Sequence, residues 1–262
     1  MEHLLVVVLG FVLSFLIGLT GVGGGALVAP ALYVVLGLTY TDAVALSLAY
    51  SVFTKIVSAA QHLRQGTVLW KITLLYGLTG VPGAIIGSRL MYWTGPAASE
   101  RIFPPVMGGL LVLVALLILS QATIQRLATW QKPFSPHAFT MGGVLAIAAF
   151  QLIVGAVLGF TSVGSGSLVI VSMLYLFQMN AKEIVGCNIV IALMMVLPAG
   201  IVHYSAGSVR WKILALLLLG SLAGAVLGAK VTLLVPDRVL TFVIALLIVA
   251  AAVATVAKAW SS

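Results

Sequence analysis

Eight long apolar blocks joined by short polar segments constrain this chain more than any other feature. They fall at about residues 4–38, 43–60, 70–92, 102–120, 139–178, 184–202, 211–234 and 238–257. A helix needs roughly 20 apolar residues to cross a hydrocarbon core of ~30 Å, so 262 residues hold about eight to ten crossings and little else. Charged side chains make up only 7% of the chain, where a soluble domain uses about a quarter to cover its surface. Lipid must then be the solvent for most of this surface, and the expected fold is an all-α integral membrane bundle. Met1-Glu2-His3 lacks the basic stretch that opens a secretory signal, so the first apolar segment is expected to be a retained transmembrane element.

The blocks repeat. A shift of 141 residues lays Gly159-Phe-Thr161-Ser-Val163-Gly164-Ser-Gly166 on Gly18-Leu-Thr20-Gly-Val22-Gly23-Gly-Gly25. Without a gap, His203 then meets His62, Gly207 meets Gly66, Trp211-Lys212 meets Trp70-Lys71, and Gly224 and Gly228 meet Gly83 and Gly87. Shared apolar composition could align Leu with Leu, but not histidine, Trp-Lys and spaced glycines in one register. The expected organisation is a first transmembrane repeat over 1–122, a linker over 123–137 and a second repeat over 138–262, an arrangement that in secondary transporters places the substrate between the repeats.

Blocks 4–38 and 139–178 are too long for one straight span, since 35 residues of helix would reach roughly 52 Å. Glycine clusters at 21–25 and 164–166 interrupt them, so each reads as a helix arm, an irregular turn and a second arm. An even number of crossings per half makes the halves parallel, and an odd number inverts them. With eight crossings, Arg210, Lys212 and Lys258 fall on one side with Arg64 and Lys71, while Lys182 falls on the other with Arg89 and Arg101.

The net charge of +8, from 13 Lys+Arg against 5 Asp+Glu, fits membrane-flanking cations that touch anionic lipid. It lacks the basic stripe with aromatics that nucleic-acid binding requires. The single cysteine, Cys187, excludes an internal disulfide. No metal-ligand spacing, nucleophile–base pair or nucleotide loop is present, so neither an enzyme nor a cofactor is expected, and any coupling must come from an ion gradient or the substrate's own.

Two regions can hold a substrate. Irregular backbone at membrane depth is tolerated only where it is buried in protein or lines a wet cavity, and a helix starting after such a break aims N–H groups and a positive dipole end at the cavity, which suits an anion. Gly23, Gly24, Gly25, Gly164 and Gly166 form the breaks, and Thr20, Thr161, Ser162, Ser165 and Ser167 add hydroxyls; the competing reading is close helix packing. The second region is the helix from about Asp42 to Gln65. There Ser47, Ser51, Thr54, Lys55, Ser58, Gln61 and His62 share an arc of about 120°. An ionisable group at the depth of Lys55 marks a pathway by default; the alternative is that it snorkels toward Arg64 and the interface. The corresponding face of the second half carries Asn188, Ala192, Val196, Ala199 and His203, so the stripe is largely lost there. His62 and His203, with Arg64, are candidates to line the pathway or couple protons. Asp42 and Glu183 read as first-turn acids that complement helix dipoles.

Gly18-Leu-Thr-Gly-Val-Gly-Gly-Gly, Pro30, Ala43-Val-Ala-Leu-Ser47 and His62-Leu-Arg64-Gln-Gly66 resemble the sulfite exporter TauE/SafE family, and Gly159 through Lys230 completes the resemblance over nearly the whole chain. It implies a permease of the bacterial cytoplasmic membrane with about eight helices, carrying small sulfur-containing anions such as sulfite, sulfonates or sulfoacetate. The expected partners are that anion and the lipid bilayer, with pairing into a homodimer left open. The second copy departs from the richer motif, with Ser162 and Ser165 in place of glycine and no counterpart to Lys55 or Arg64. An anion channel, or a membrane scaffold whose repeats are only structural, are the rival readings.

Overall fold

The computed structural model describes residues 2–20, 25–127, 140–164, 166–177, 179–232 and 237–261. These form ten helices: α1 (Glu2–Thr20), α2 (Gly25–Val35), α3 (Tyr40–Arg64), α4 (Trp70–Trp93), α5 (Pro96–Leu127), α6 (Met141–Thr161), α7 (Ser167–Leu176), α8 (Ala181–Ser205), α9 (Trp211–Thr232) and α10 (Asp237–Ser261). Five of them, α3, α4, α5, α6 and α8, are long and apolar enough to cross a membrane. The chain is a multi-pass membrane protein. α5 continues to Leu127, so the first residues of the expected linker are helical; the remainder of that linker, from 128, lies outside the described residues.

Helix starts follow local chemistry. The Thr39 hydroxyl caps α3 by accepting from Asp42 N–H, and Asn180 and Glu183 close a reciprocal capping box on α8. Glu183 thus acts as a first-turn acid. Asp42 does more, because its carboxylate also accepts from Arg210, just ahead of α9, at 2.6 and 2.9 Å.

Close-packed pairs build the bundle. α6 lies on α4, where Gly83 abuts the backbone of Leu152 and Ala156; α1 lies on α9, where Gly224 abuts the backbone of Phe11. Both members of the first contact move by 141 positions to give the second. Only glycine permits backbones this close, the usual device for joining helices in a solvent as apolar as their own side chains.

The start of α3 (Asp42), the ends of α4 (Tyr92) and α8 (His203), and the residues before α9 (Ser208, Arg210) meet at one end of the bundle, called the upper end below. The start of α4 and the start of α8 meet at the lower end, through Leu69 N–H to Cys187 Sγ at 3.1 Å. α3 and α8 therefore run antiparallel. The two short helices add the extra reversals. α2 and α7 reach only about 16 and 15 Å at 1.5 Å per residue. α2 ends at the upper end, where Tyr33 packs edge-on against Tyr40 and under the Lys258 ammonium, 4.1 Å from the ring centre. α7 ends toward the lower end, where Phe177 meets Tyr76 edge-on at 6.1 Å. These reversals correct the grouping of cations drawn from eight crossings. Arg210 and Lys212 stand with Arg89 and Arg101 at helix ends of the upper side, and Lys182 stands with Arg64 and Lys71 at the lower.

Candidate functional site

The last turn of α6 is held by five partners, one of them Ser88 Oγ of α4, which donates to the Gly159 carbonyl at 3.3 Å. Its carbonyls at 157–160 accept, in order, from Thr161 Oγ1 (2.6 Å), Ser162 N–H (2.7 Å), His203 Nε2 (3.0 Å) and the Tyr40 hydroxyl (2.9 Å). A helix end buried in a membrane has no water to satisfy these groups, so side chains from α3, α4 and α8 do it. The chain then leaves the helix at Ser162, which takes the left-handed conformation at φ 62°, at a cost on the order of 1 kcal/mol for a residue with a Cβ.

Ser162 is buried, and its Oγ lies 3.0 Å from Ser47 Oγ on α3. Its carbonyl occupies the space where a Cβ on Gly25, the first residue of α2, would stand. The start of α2 therefore touches the break between α6 and α7. α7 begins a few residues later with no side-chain cap at Gly166. Two half-length helices thus begin at one region in the interior and run toward opposite ends of the bundle, α7 without a side-chain cap. Each offers free N–H groups and about half a unit of positive charge.

The structure brings Gly25, Ser47, Thr161, Ser162, Gly164 and Gly166 to this region. Thr161 contributes least, because its hydroxyl donates to Val157 and accepts from Val163 N–H. Ser51, one turn along α3, is buried, and Lys55, another turn on, is half-buried with no ion-pair partner among the described residues. Lys55 stands about 12 Å along the helix axis from Ser47, on the same face. Gly23, Gly24 and Ser165 lie outside the described residues, as do the side chains of Thr20 and Ser167. Asn188 is buried on α8 with its Oδ1 unpartnered, as far from the lower end as Ser47 is from the upper.

His62 and Arg64 sit at the lower end of α3, and His203 at the upper end of α8, so the two histidines occupy opposite mouths. A cavity of about 540 Å³ opens at the upper end, lined by Thr39, Thr41, Tyr92, Ser99, Glu100 and Ser208 among others. Sequence reasoning missed Tyr40 and Tyr92. Tyrosines near helix ends read as interfacial anchors, and nothing local distinguishes one that turns inward. Among the described residues no group of three or more His, Cys, Asp or Glu could hold a metal ion.

Comparison with known proteins agrees with this architecture. The sequence model of the sulfite exporter TauE/SafE family matches residues 6–255. A probable membrane transporter protein of Bacillus subtilis, YjnA, is 34% identical over 249 residues, covering 93% of this chain and 95% of that one. A second from the same organism, YdhB, is 27% identical across 90% of this chain and 93% of its own. A probable membrane transporter protein of Xylella fastidiosa is 24% identical over 97% of this chain and 94% of its own. No solved structure matches it.

Proposed function

Because the chain belongs to the sulfite exporter TauE/SafE family, we propose that it is a secondary carrier of small sulfur-containing anions such as sulfite, sulfonates or sulfoacetate, with the site between two inverted repeats. One observation carries this reading, the meeting of the α2 and α7 N-termini at Ser162, beside Ser47. Two helix N-termini, neutral hydroxyls and a nearby lysine favour an anion and offer a cation nothing. The three oxygens of a sulfonate or of sulfite can accept from several such donors at once. The antiparallel run of α3 and α8 and the matched contacts at Gly83 and Gly224 support inverted halves, 1–122 and 138–262. Inverted halves can rock about a central site and expose it to each end in turn. The bacterial relatives support placement in the cytoplasmic membrane.

The test is flux into proteoliposomes against sulfite, alkanesulfonates, sulfate and carboxylates. Saturable flux of the sulfur anions is expected. Linear flux would make the protein a channel, and absence of flux for every anion would leave only a structural role.

A further inference from the structure

His203 is fully buried, and each of its ring nitrogens has a partner. Nε2 lies 3.0 Å from the Gly159 carbonyl, three residues ahead of Ser162. Nδ1 lies 2.7 Å from the Tyr92 hydroxyl, which lies 3.0 Å from Ser208 Oγ. Tyr92 and Ser208 both line the upper cavity. An unbroken chain of hydrogen bonds thus runs from that cavity to an imidazole at the rim of the candidate anion site.

The donor count along this chain is decisive. A carbonyl only accepts, so Nε2 carries a proton in every state. The structure has the Tyr92 hydroxyl donating to Ser208 Oγ; with neutral imidazole, that hydrogen turns to Nδ1 instead. With imidazolium, Nδ1 donates to Tyr92, and Tyr92 donates to Ser208. The two arrangements differ by one proton and by the rotation of the Tyr92 hydroxyl, and Ser208, part-exposed on the cavity, is not left buried and unpaired in either. A proton can enter from the cavity side and arrive at Nδ1 without movement of any heavy atom.

We propose that the Ser208–Tyr92–His203 chain takes up one proton from the upper cavity and that this proton is the ion coupled to anion movement. Bound at His203, it places a full positive charge beside the backbone that ends at Ser162, so proton and anion attract each other and travel in the same direction. This rests on the anion-carrier reading above. Among the described residues, the charged and titratable groups near this chain are Tyr92 on α4, Tyr40 and Asp42 on α3, Glu100 on α5 and Arg210 ahead of α9, and α6 supplies none. Asp42 is neutralised by Arg210, and Glu100, which accepts from Tyr40 N–H at 2.5 Å, lines the cavity and can collect protons there. The position equivalent to His203 does not share the device. Among the described residues the His62 ring bonds to Thr67 of its own turn, and the residue 141 positions after Tyr92 is Leu233, which has no hydroxyl.

The experiment uses the full chain in proteoliposomes that enclose a pH indicator, with an alkanesulfonate as probe because its charge does not vary with pH. Uptake driven by an imposed pH gradient is compared with exchange at equal pH. In the wild type, uptake of the sulfonate should acidify the lumen, because proton and anion enter together; alkalinisation would overturn the proposal. Tyr92→Phe keeps the ring and removes the link; His203→Gln keeps a donor for Gly159 and removes the basic nitrogen. In both, the ratio of gradient-driven uptake to exchange should fall at least tenfold. An unchanged ratio in both variants overturns the proposal. If the wild type exchanges no sulfonate, the carrier reading fails instead, and nitrogen NMR of labelled histidine in the bilayer decides the proton site alone. One imidazole that titrates in the wild type and is lost in His203→Gln supports it; an imidazole at 203 that stays neutral throughout the histidine range overturns it.

Discussion

The corners at 62–67 and 203–208 have one backbone and two environments. In both, the N–H of the sixth residue donates to the histidine carbonyl, at 3.3 Å for Thr67 and 3.2 Å for Ser208. In both, a glycine with positive φ makes the turn, Gly66 at 66° and Gly207 at 76°. The rings then part company. His62 is half-buried and bonds to Thr67 at 2.9 Å, whereas His203 is fully buried and bonds across the bundle to Tyr92 and Gly159. The repeated sequence therefore specifies the turn, and the helices that surround it specify what the histidine does. α3 and α8 show the same divergence, with Ser47, Ser51 and Lys55 on one and Asn188, Ala192 and Val196 on the other.

The sharpest way to break this comparison is to change one residue type in two surroundings. Gly25→Val should abolish transport and reduce the yield of folded protein, because the new side chain meets the Ser162 carbonyl, which is backbone and cannot swing aside. Gly109→Val on α5, where nothing lies within 4 Å, should leave both intact. Size-exclusion profiles and flux measured on the two variants check this. Similar behaviour of the pair would mean that the approach of α2 to the break is unimportant.

Next in size are Gly83→Leu and Gly224→Leu, which test the equivalence of the α4–α6 and α9–α1 contacts. Each should cost about 1–3 kcal/mol of stability by overpacking, and by similar amounts, in thermal melts of the purified protein. A large inequality would show that the matched contacts do not carry equal weight.

A smaller effect is expected at the asymmetric stripe. Lys55→Ala should weaken anion binding about tenfold, or ~1.4 kcal/mol, because a full charge is lost from the face that Ser47 and Ser51 share. Asn188→Ala removes only a neutral amide and should cost less than half of that free energy. Calorimetric titration of both variants settles the order, and equal losses would indicate a site that draws on both halves alike.

Smallest of all is Thr67→Ala. Water can replace the hydroxyl at the half-exposed His62, so transport should change by less than about twofold, in keeping with the small net value of a solvent-accessible hydrogen bond. Ser208→Ala, at the equivalent position, removes the cavity-side member of the proton chain and should depress gradient-driven uptake well beyond that. Flux in the two variants, side by side, reads the contrast directly.

Much of the fold was legible before any coordinates. The over-long first block of each set announced its interruption, and α1 with α2, and α6 with α7, stand where those blocks lie. Ser162 and Ser47, named from sequence as separate candidates, lie side by side in the structure. The number of reversals was not legible, because helices as short as α2 and α7 have no length signal of their own and merge with their neighbours in an apolar block. A grouping that takes each block as one crossing therefore places Arg210 and Lys182 at other ends than the structure does. Tyr40 and Tyr92 were invisible as site residues for a different reason: their partners, Phe160 and His203, lie 120 and 111 positions away.

By itself the sequence determined that this chain lives in lipid, that one pattern of histidine, Trp-Lys and spaced glycine recurs after 141 residues, and that two of its apolar blocks are too long for one span. Those are properties of composition, periodicity and local turn chemistry, which act over a few residues and survive any arrangement of the helices. Tertiary structure alone decided that α3 and α8 run antiparallel, that Gly25 rests on Ser162, and that of two equivalent histidines only His203 is sealed inside. These depend on which backbones can approach within van der Waals distance and which buried polar atoms find partners across the bundle, and neither can be read from neighbours in sequence.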